Sequence, residues 1–313
     1  MAFLNLMLFY TRIMYYRLNA CVFKIVEDYT LINNVFNKPF ILFMGPQRAG
    51  TTWLDAYCRH RGDVCLPSKV KEVFFFDRHS SRGAEFYKSH FDLKSHHDLI
   101  AEVTTTSFDH ADAPRRVKEM FGNNVTLICP LRKPVPRSYS LYRHYARYGL
   151  VSGDLIQACE QEPQIINSSR YAYHIERWLE VFPNKKIHFI FQEELENNRD
   201  EFVRKLCSLL EVEYMPVPEG LNERINVSTK SNNKTLAGIG QKTCEYLRDR
   251  KLYSVINLTK HAGLKTLFFG KEKPDAPMLS MSDFERDWLD EQLGGEVQRL
   301  EKIIGPIPQW EKC

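Results

Sequence analysis

Arg48, Gly50, Thr51 and Thr52 concentrate anion-binding chemistry in one short stretch, Gly45-Pro46-Gln47-Arg48-Ala49-Gly50-Thr51-Thr52-Trp53-Leu54. A guanidinium can grip an oxyanion through two parallel N–H donors. Gly50 lets the backbone come close to a ligand, and the threonine hydroxyls add donors. Phe40 to Met44, just upstream, are apolar without interruption, which predicts a buried parallel strand. Gly45-Pro46 breaks that strand, and a helix is expected to open at Thr51 and run to about Arg59. Strand, tight loop and helix start together aim unpaired backbone N–H groups and a positive dipole end at an anion. The stretch reads as a phosphate cradle built from Gln47, Arg48, Ala49, Gly50, Thr51 and Thr52. The Gly45-x-x-x-x-Gly50 spacing matches the P-loop of nucleotide triphosphatases, but Thr51 stands where their lysine reaches the β- and γ-phosphates.

A second strand, Val125-Thr126-Leu127-Ile128-Cys129-Pro130-Leu131, ends in Arg132 and a proline-marked turn, and a helix with Ser138, Ser140, Arg143 and Arg147 follows. A strand end fixes a guanidinium in place. In open α/β sheets ligands lie at the carboxyl ends of strands, which is where Arg48, Glu72 and Arg132 all fall. A structural ion pair is the plain alternative for Arg132.

The run from Arg48 through Gly50-Thr51-Thr52-Trp53-Leu54, after a buried strand, resembles the 5′-phosphosulfate-binding loop of sulfotransferases. These enzymes use 3′-phosphoadenosine 5′-phosphosulfate (PAPS), and Arg48 replaces the Lys usual in the family. Lys71-Glu72-Val73-Phe74-Phe75-Phe76 resembles the Lys-Glu-x-x-Phe-Phe segment of the heparan-sulfate branch, whose Glu is the general base. The resemblance gives that role to Glu72, with Arg48 as its catalytic partner at the leaving phosphate. A sugar hydroxyl is a poor nucleophile and needs a carboxylate to take its proton. The phenylalanines are expected to wall Glu72 and raise its pKa by desolvation. An exposed Glu in a charged loop is the alternative.

Arg132 and Ser140 resemble the family pair that holds the 3′-phosphate, with Ser138 competing for the hydroxyl role. Tyr171, at the start of a later helix, is a further nucleotide-facing candidate, with core packing as the alternative. Lys230 and Lys234 lie in a basic loop similar to the one that closes over the nucleotide, though a solvated loop would look alike. PAPS is thus the implied donor, adenosine 3′,5′-bisphosphate the product, and no metal is expected. A glycan or small-molecule acceptor is implied, foremost a carbohydrate hydroxyl or amino group. Two departures stand out: Phe74 replaces a family His, and Val103 replaces a Lys of a Glu-Lys-(Ser/Thr) segment. The role of that Lys is not carried over, and Glu102 and Thr104 remain as pocket candidates.

These residues need a scaffold. Further strands are expected over 64–67, 99–106 and 187–191, and helices over 80–91, 112–121, 154–163, 171–183, 199–210 and 282–304, with a loop at 165–169. The alternation predicts one α/β domain with a central parallel sheet flanked by helices, and the resemblance implies that it carries a P-loop-like phosphosulfate loop. Arg115-Arg116 is expected on a solvated face. The 313 residues suffice for a large core, with 43% hydrophobic residues as in ordinary globular enzymes. A net charge of +4 is too small to point to nucleic acid and favours anionic ligands. The 8 cysteines are scattered without C-x-x-C, which argues against a zinc site or a disulfide framework and fits a reducing, cytoplasmic compartment.

Residues 1–37 form a separate N-terminal segment and 38–313 the domain. The segment contains no run of ~18–20 apolar residues as a membrane span requires. It reads as a helix packed on the domain, or as a basic, aromatic helix lying on a membrane surface. Asn-x-Ser/Thr sequons at Asn124, Asn167, Asn226, Asn233 and Asn257 keep a Golgi-lumen location open. Two other functions compete with sulfuryl transfer: a P-loop-like nucleotide kinase, disfavoured by Thr51, and a non-catalytic nucleotide- or glycan-binding protein, left open by Val103.

Overall fold

The computed structural model describes residues 36–183, 187–221 and 280–311. Strands β1 (Phe40–Met44), β2 (Val64–Cys65), β3 (Leu99–Thr104), β4 (Val125–Leu131) and β5 (Ile187–Phe191) form a five-stranded sheet in the order β2-β3-β1-β4-β5. Every pair is parallel. β1 lies at the centre, between β3 and β4, and its apolar run is buried on both faces.

The period of two sorts that run between two cores. Phe40, Leu42 and Met44 join Ile100, Leu127 and Cys129 on one face, under α2 (Ala113–Phe121), α4 (Tyr171–Val181) and α7 (Glu296–Ile304). Ile41 and Phe43 join Ala101, Val103 and Ile128 on the other, under α1 (Thr51–Arg61) and α5 (Arg199–Leu210). A third cluster packs α3 (Pro134–Arg147) against α6 (Asp283–Gln292), through Val135, Tyr139, Leu141, Leu289 and Leu293. The single α/β domain expected from the sequence is therefore the one observed.

Several boundaries differ from expectation. The helix expected over 80–91 is instead a π-type turn at Phe75–His79, a 3-10 turn at Ser80–Arg82 and a short helix at Gly83–Lys88. Phe75 and Phe76 are drawn into the core against Tyr87, so the chain starts to coil before residue 80. The helix expected over 282–304 breaks into α6 and α7, because Gly295 takes a left-handed φ of 76° at the break. The strands expected over 64–67 and 99–106 end sooner, at Cys65 and Thr104. A single helical turn, Gln164–Asn167, occupies part of the expected 165–169 loop.

Pro130 sits inside β4 although it cannot donate to a ladder. It falls beyond the last β1–β4 pair, Phe43 with Ile128. There it packs on Gly45, where a Cβ would stand 2.4 Å from the Pro130 carbonyl oxygen. The exit of β1 into the cradle thus depends on glycine. Gly45→Ala should lower unfolding free energy by about 1–3 kcal/mol, read from urea denaturation, because overpacking there must displace backbone. An unchanged midpoint would contradict that close approach.

Candidate active site

The cradle starts where β1 ends. Arg48 has φ 72° and Gly50 φ 79°, both left-handed. For glycine that conformation is nearly free, whereas for arginine it costs about 1–3 kcal/mol. Gly50 caps α1 without a side-chain bond, so the N–H groups of Thr51 and Thr52 are of the kind a helix start leaves without intrahelical partners. Ala49 and Thr51 are buried, while Gln47, Arg48, Gly50 and Thr52 are half-buried.

The strained loop is held from below by Arg137, which sequence reasoning gave no role. Its guanidinium is only 1% exposed. Arg137 Nε donates to the Gln47 carbonyl at 2.9 Å, and Nη1 donates to Ser169 Oγ at 3.0 Å and the Ile165 carbonyl at 3.3 Å. Ser138 Oγ pairs with Ser169 Oγ at 2.7 Å in the same buried cluster. Ser138 is thereby occupied in packing, and the half-buried hydroxyl left at the cleft is Ser140. Arg48 Nε donates to Ser140 Oγ at 3.0 Å. Two regions 92 positions apart in sequence meet in that bond.

Arg132, half-buried at the end of β4, completes this side. Its carbonyl accepts from the Tyr171 hydroxyl at 2.8 Å, and Tyr171 is fully buried. The nucleotide-facing expectation for Tyr171 is corrected accordingly: it braces Arg132 from behind. Glu193 accepts from the Lys133 N–H and from Trp310 Nε1, both at 2.9 Å, and so anchors the turn after Arg132.

Burial, together with the charges of Arg132, Arg137 and Arg147, pulls the Arg48 pKa below its ordinary value. Among the described residues no carboxylate lies within ion-pairing distance of Arg48 or Arg132. Among the described residues positive charge is therefore concentrated here without a carboxylate partner, and an anion would relieve the repulsion. His144 follows Ser140 by one helical turn of α3. Burial, with Arg48 and Arg147, pushes its pKa down to about 4, so it is a neutral imidazole near pH 7. Its spacing from Ser140 was the signal in the sequence that could have found it.

Glu72 approaches from the other side. Its Oε2 accepts from Thr105 N at 3.1 Å and Thr105 Oγ1 at 2.7 Å, just past the end of β3. The expected aromatic wall does not surround it, since Phe75 and Phe76 point into the core. Glu102 is fully buried one layer behind. Glu102 accepts from Val73 N at 3.0 Å and from the Tyr87 hydroxyl at 2.5 Å. Burial, helped by the charges of Glu72 and Asp77, pushes its pKa up to about 7. The pocket role considered for Glu102 is thus corrected to a brace that fixes the residue after Glu72.

Thr104 is likewise buried, its hydroxyl paired with Ser107 Oγ at 2.9 Å. Val103 is fully buried in the opposite core. Phe74 adopts φ 55° and carries the Arg78 guanidinium 4.7 Å above its ring. Arg116, expected on a solvated face, donates to the Phe76 carbonyl at 2.8 Å and helps fix this segment, while Arg115 is exposed. Lys230, Lys234 and the segment 1–35 lie outside the described residues.

Glu102 makes stability depend on pH in a definite direction. Its native pKa is raised, so between about pH 4.5 and 7 the native state holds a proton that the unfolded chain has lost. Stability should therefore fall as pH rises through that window, by up to about 3 kcal/mol from this group. Glu102→Gln mimics the protonated form and should flatten the fall, measured by denaturation at pH 5 and pH 8. Equal slopes in both proteins would contradict this.

A family model described as "Sulfotransferase domain" matches residues 38–243. The chain is 26% identical over 212 residues to a bifunctional heparan sulfate N-deacetylase/N-sulfotransferase of Drosophila melanogaster, covering 58% of this chain and 20% of that protein. It is 27% identical over 181 residues to a bifunctional heparan sulfate N-deacetylase/N-sulfotransferase 2 of Homo sapiens, covering 51% of this chain and 20% of the relative. The match thus spans about a fifth of the length of these relatives. Among solved structures, a sulfotransferase from Alicyclobacillus acidocaldarius superposes with a TM-score of 0.61 at 18% identity, covering 88% of this chain and 100% of that one. At that identity the likeness bears on the fold alone.

Proposed function

We propose, from the premise that the chain belongs to the sulfotransferase domain family, that it transfers a sulfuryl group from PAPS to a hydroxyl or amino group of a carbohydrate. The observation that carries this is the Arg48–Ser140 hydrogen bond at 3.0 Å, which joins the cradle after β1 to α3, the helix that follows β4 and Arg132. A donor with phosphate groups on both the 3′ and the 5′ position of its ribose fits one corner at the cradle and another at Arg132 and Ser140, whereas a nucleoside triphosphate has no use for the second. The donor set fits as well: helix-start N–H groups, left-handed backbone at Arg48 and Gly50, and the Arg48 and Arg132 guanidiniums, which have no carboxylate partner among the described residues. The carbohydrate acceptor is supported by relatives named for heparan sulfate.

PAPS, when bound, supplies the activated sulfuryl group and an adenosine 3′,5′-bisphosphate leaving group. Glu72 takes the acceptor proton while the acceptor–sulfur bond forms. The sulfur–oxygen bond to the phosphate breaks, and its electron pair leaves on the bisphosphate. Arg48 and the N–H groups of the 47–52 backbone stabilise the charge that gathers there. Arg132 and Ser140 hold the 3′-phosphate. Thr105, with two bonds on Oε2, leaves Oε1 of Glu72 as the oxygen for the proton.

The test is transfer of sulfur-labelled PAPS to a panel of polysaccharides and small alcohols by the full chain. Wild type should label an acceptor, and Glu72→Gln should lower kcat by about 10²–10⁴-fold with bisphosphate affinity retained. No transfer from PAPS, together with phosphoryl transfer from ATP–Mg²⁺, would contradict the proposal in favour of a kinase. Full activity of Glu72→Gln would remove Glu72 from the mechanism.

A further inference from the structure

Lys71 lies between the two halves of the site. Its Nζ is 3.4 Å from Thr51 Oγ1, at the mouth of the cradle, and 3.4 Å from Glu72 Oε1, at the proposed base. We infer that Lys71 is the cation that contacts the transferring sulfuryl group, replacing a lysine that neither Thr51 nor Val103 provides. This rests on the sulfotransferase proposal above and adds a residue to it.

The position follows from the reaction line. The leaving oxygen belongs at the cradle, the acceptor proton at Glu72, and the sulfuryl group between them. An ammonium that touches Thr51 and Glu72 at once brackets that intermediate place. It is also accessible there, with the Lys71 side chain 29% exposed and Glu72 14%. Nearby cations face other partners, and Arg48 serves the leaving phosphate rather than the sulfuryl group. Arg48 donates to Ser140, Arg59 to Asp55 and the Val70 carbonyl, and Arg78 pairs with Asp77.

The chemistry needs such a group. Negative charge in the transition state spreads over the sulfuryl oxygens and the departing oxygen, and a fixed donor there lowers the barrier. Val103 points into the core under α1 and α5, and Thr51 has only a hydroxyl. Both Lys71 contacts are longer than the 2.7–2.9 Å of a tight charge-assisted bond, so its three donors are loosely engaged.

Lys71 also guards the working oxygen of the base. Oε2 of Glu72 is taken by Thr105, and Oε1 has Lys71. When the ammonium turns to a sulfuryl oxygen, Oε1 becomes free to receive the acceptor proton. The step balances as written for Glu72, and Lys71 keeps its three protons throughout.

The experiment compares the full-length wild type with Lys71→Met and Lys71→Arg. Calorimetry measures affinity for PAPS and for adenosine 3′,5′-bisphosphate, which lacks the sulfuryl group. Release of inorganic sulfate from PAPS into water gives turnover without a known acceptor. Lys71→Met should lose about tenfold in PAPS affinity, keep bisphosphate affinity within about twofold, and lose about 10²–10³-fold in kcat. Lys71→Arg should recover most of the PAPS affinity. Equal weakening of both ligands, or no change in either, would overturn the inference while leaving the sulfotransferase proposal standing. A wild type that binds neither nucleotide would defeat the proposal itself, and Lys71 with it.

Discussion

The buried Arg137 guanidinium and the Gln47 carbonyl, 2.9 Å apart, hold the site in shape. Arg48 sits in a backbone conformation that arginine avoids, and such strain persists only where the surroundings fix it. Arg137 does so from α3, the same helix that carries Ser140 and His144. One helix therefore shapes the cradle, supplies the hydroxyl that Arg48 touches, and places a neutral imidazole beside them. A buried arginine bonded to carbonyls and a hydroxyl also adds to the positive field that lowers the Arg48 pKa.

The sheet brings the rest to the same edge. β1 leads into the cradle, β3 into Thr105 and β4 into Arg132, and the three strands are neighbours. Glu72 belongs to none of them. It hangs on the end of β3 through Thr105, while Glu102, inside β3, grips the N–H of Val73. One strand thus sets the base segment by two carboxylate contacts, one open to the cleft and one buried. The raised pKa of Glu102 follows from the depth at which that grip is made.

Much of this was legible in the sequence because it rests on strong local signals. The uninterrupted apolar run of β1, the Gly45-Pro46 break and Gly50-Thr51-Thr52 each have a direct physical meaning, and the structure places them accordingly. Arg48 and Ser140 both stand out by type and spacing, and their contact follows from the adjacency of β1 and β4. Burial was harder to read. Tyr171 and Glu102 look like ligand-facing residues by type, yet the fold turns both inward. The phenylalanines after Glu72 were expected to surround it, but a left-handed residue at Phe74 sends the next two into the core. Arg137 gave no signal, because nothing in a local pattern separates a buried arginine from a solvated one. The helix over 282–304 was overextended for a simpler reason: the charge pattern continues across Gly294-Gly295 while the backbone does not.

The central claim is that two anion-binding corners, bridged by Arg48 and Ser140, hold one adenosine bisphosphate. Calorimetric titration with adenosine 3′,5′-bisphosphate and 5′-AMP, on wild type and Arg132→Ala, tests it most directly. The bisphosphate should bind at least about tenfold tighter than AMP to wild type, and Arg132→Ala should erase that difference while leaving AMP binding intact. Equal affinity of wild type for the two nucleotides would mean that the turn after β4 holds no phosphate, and would contradict the claim.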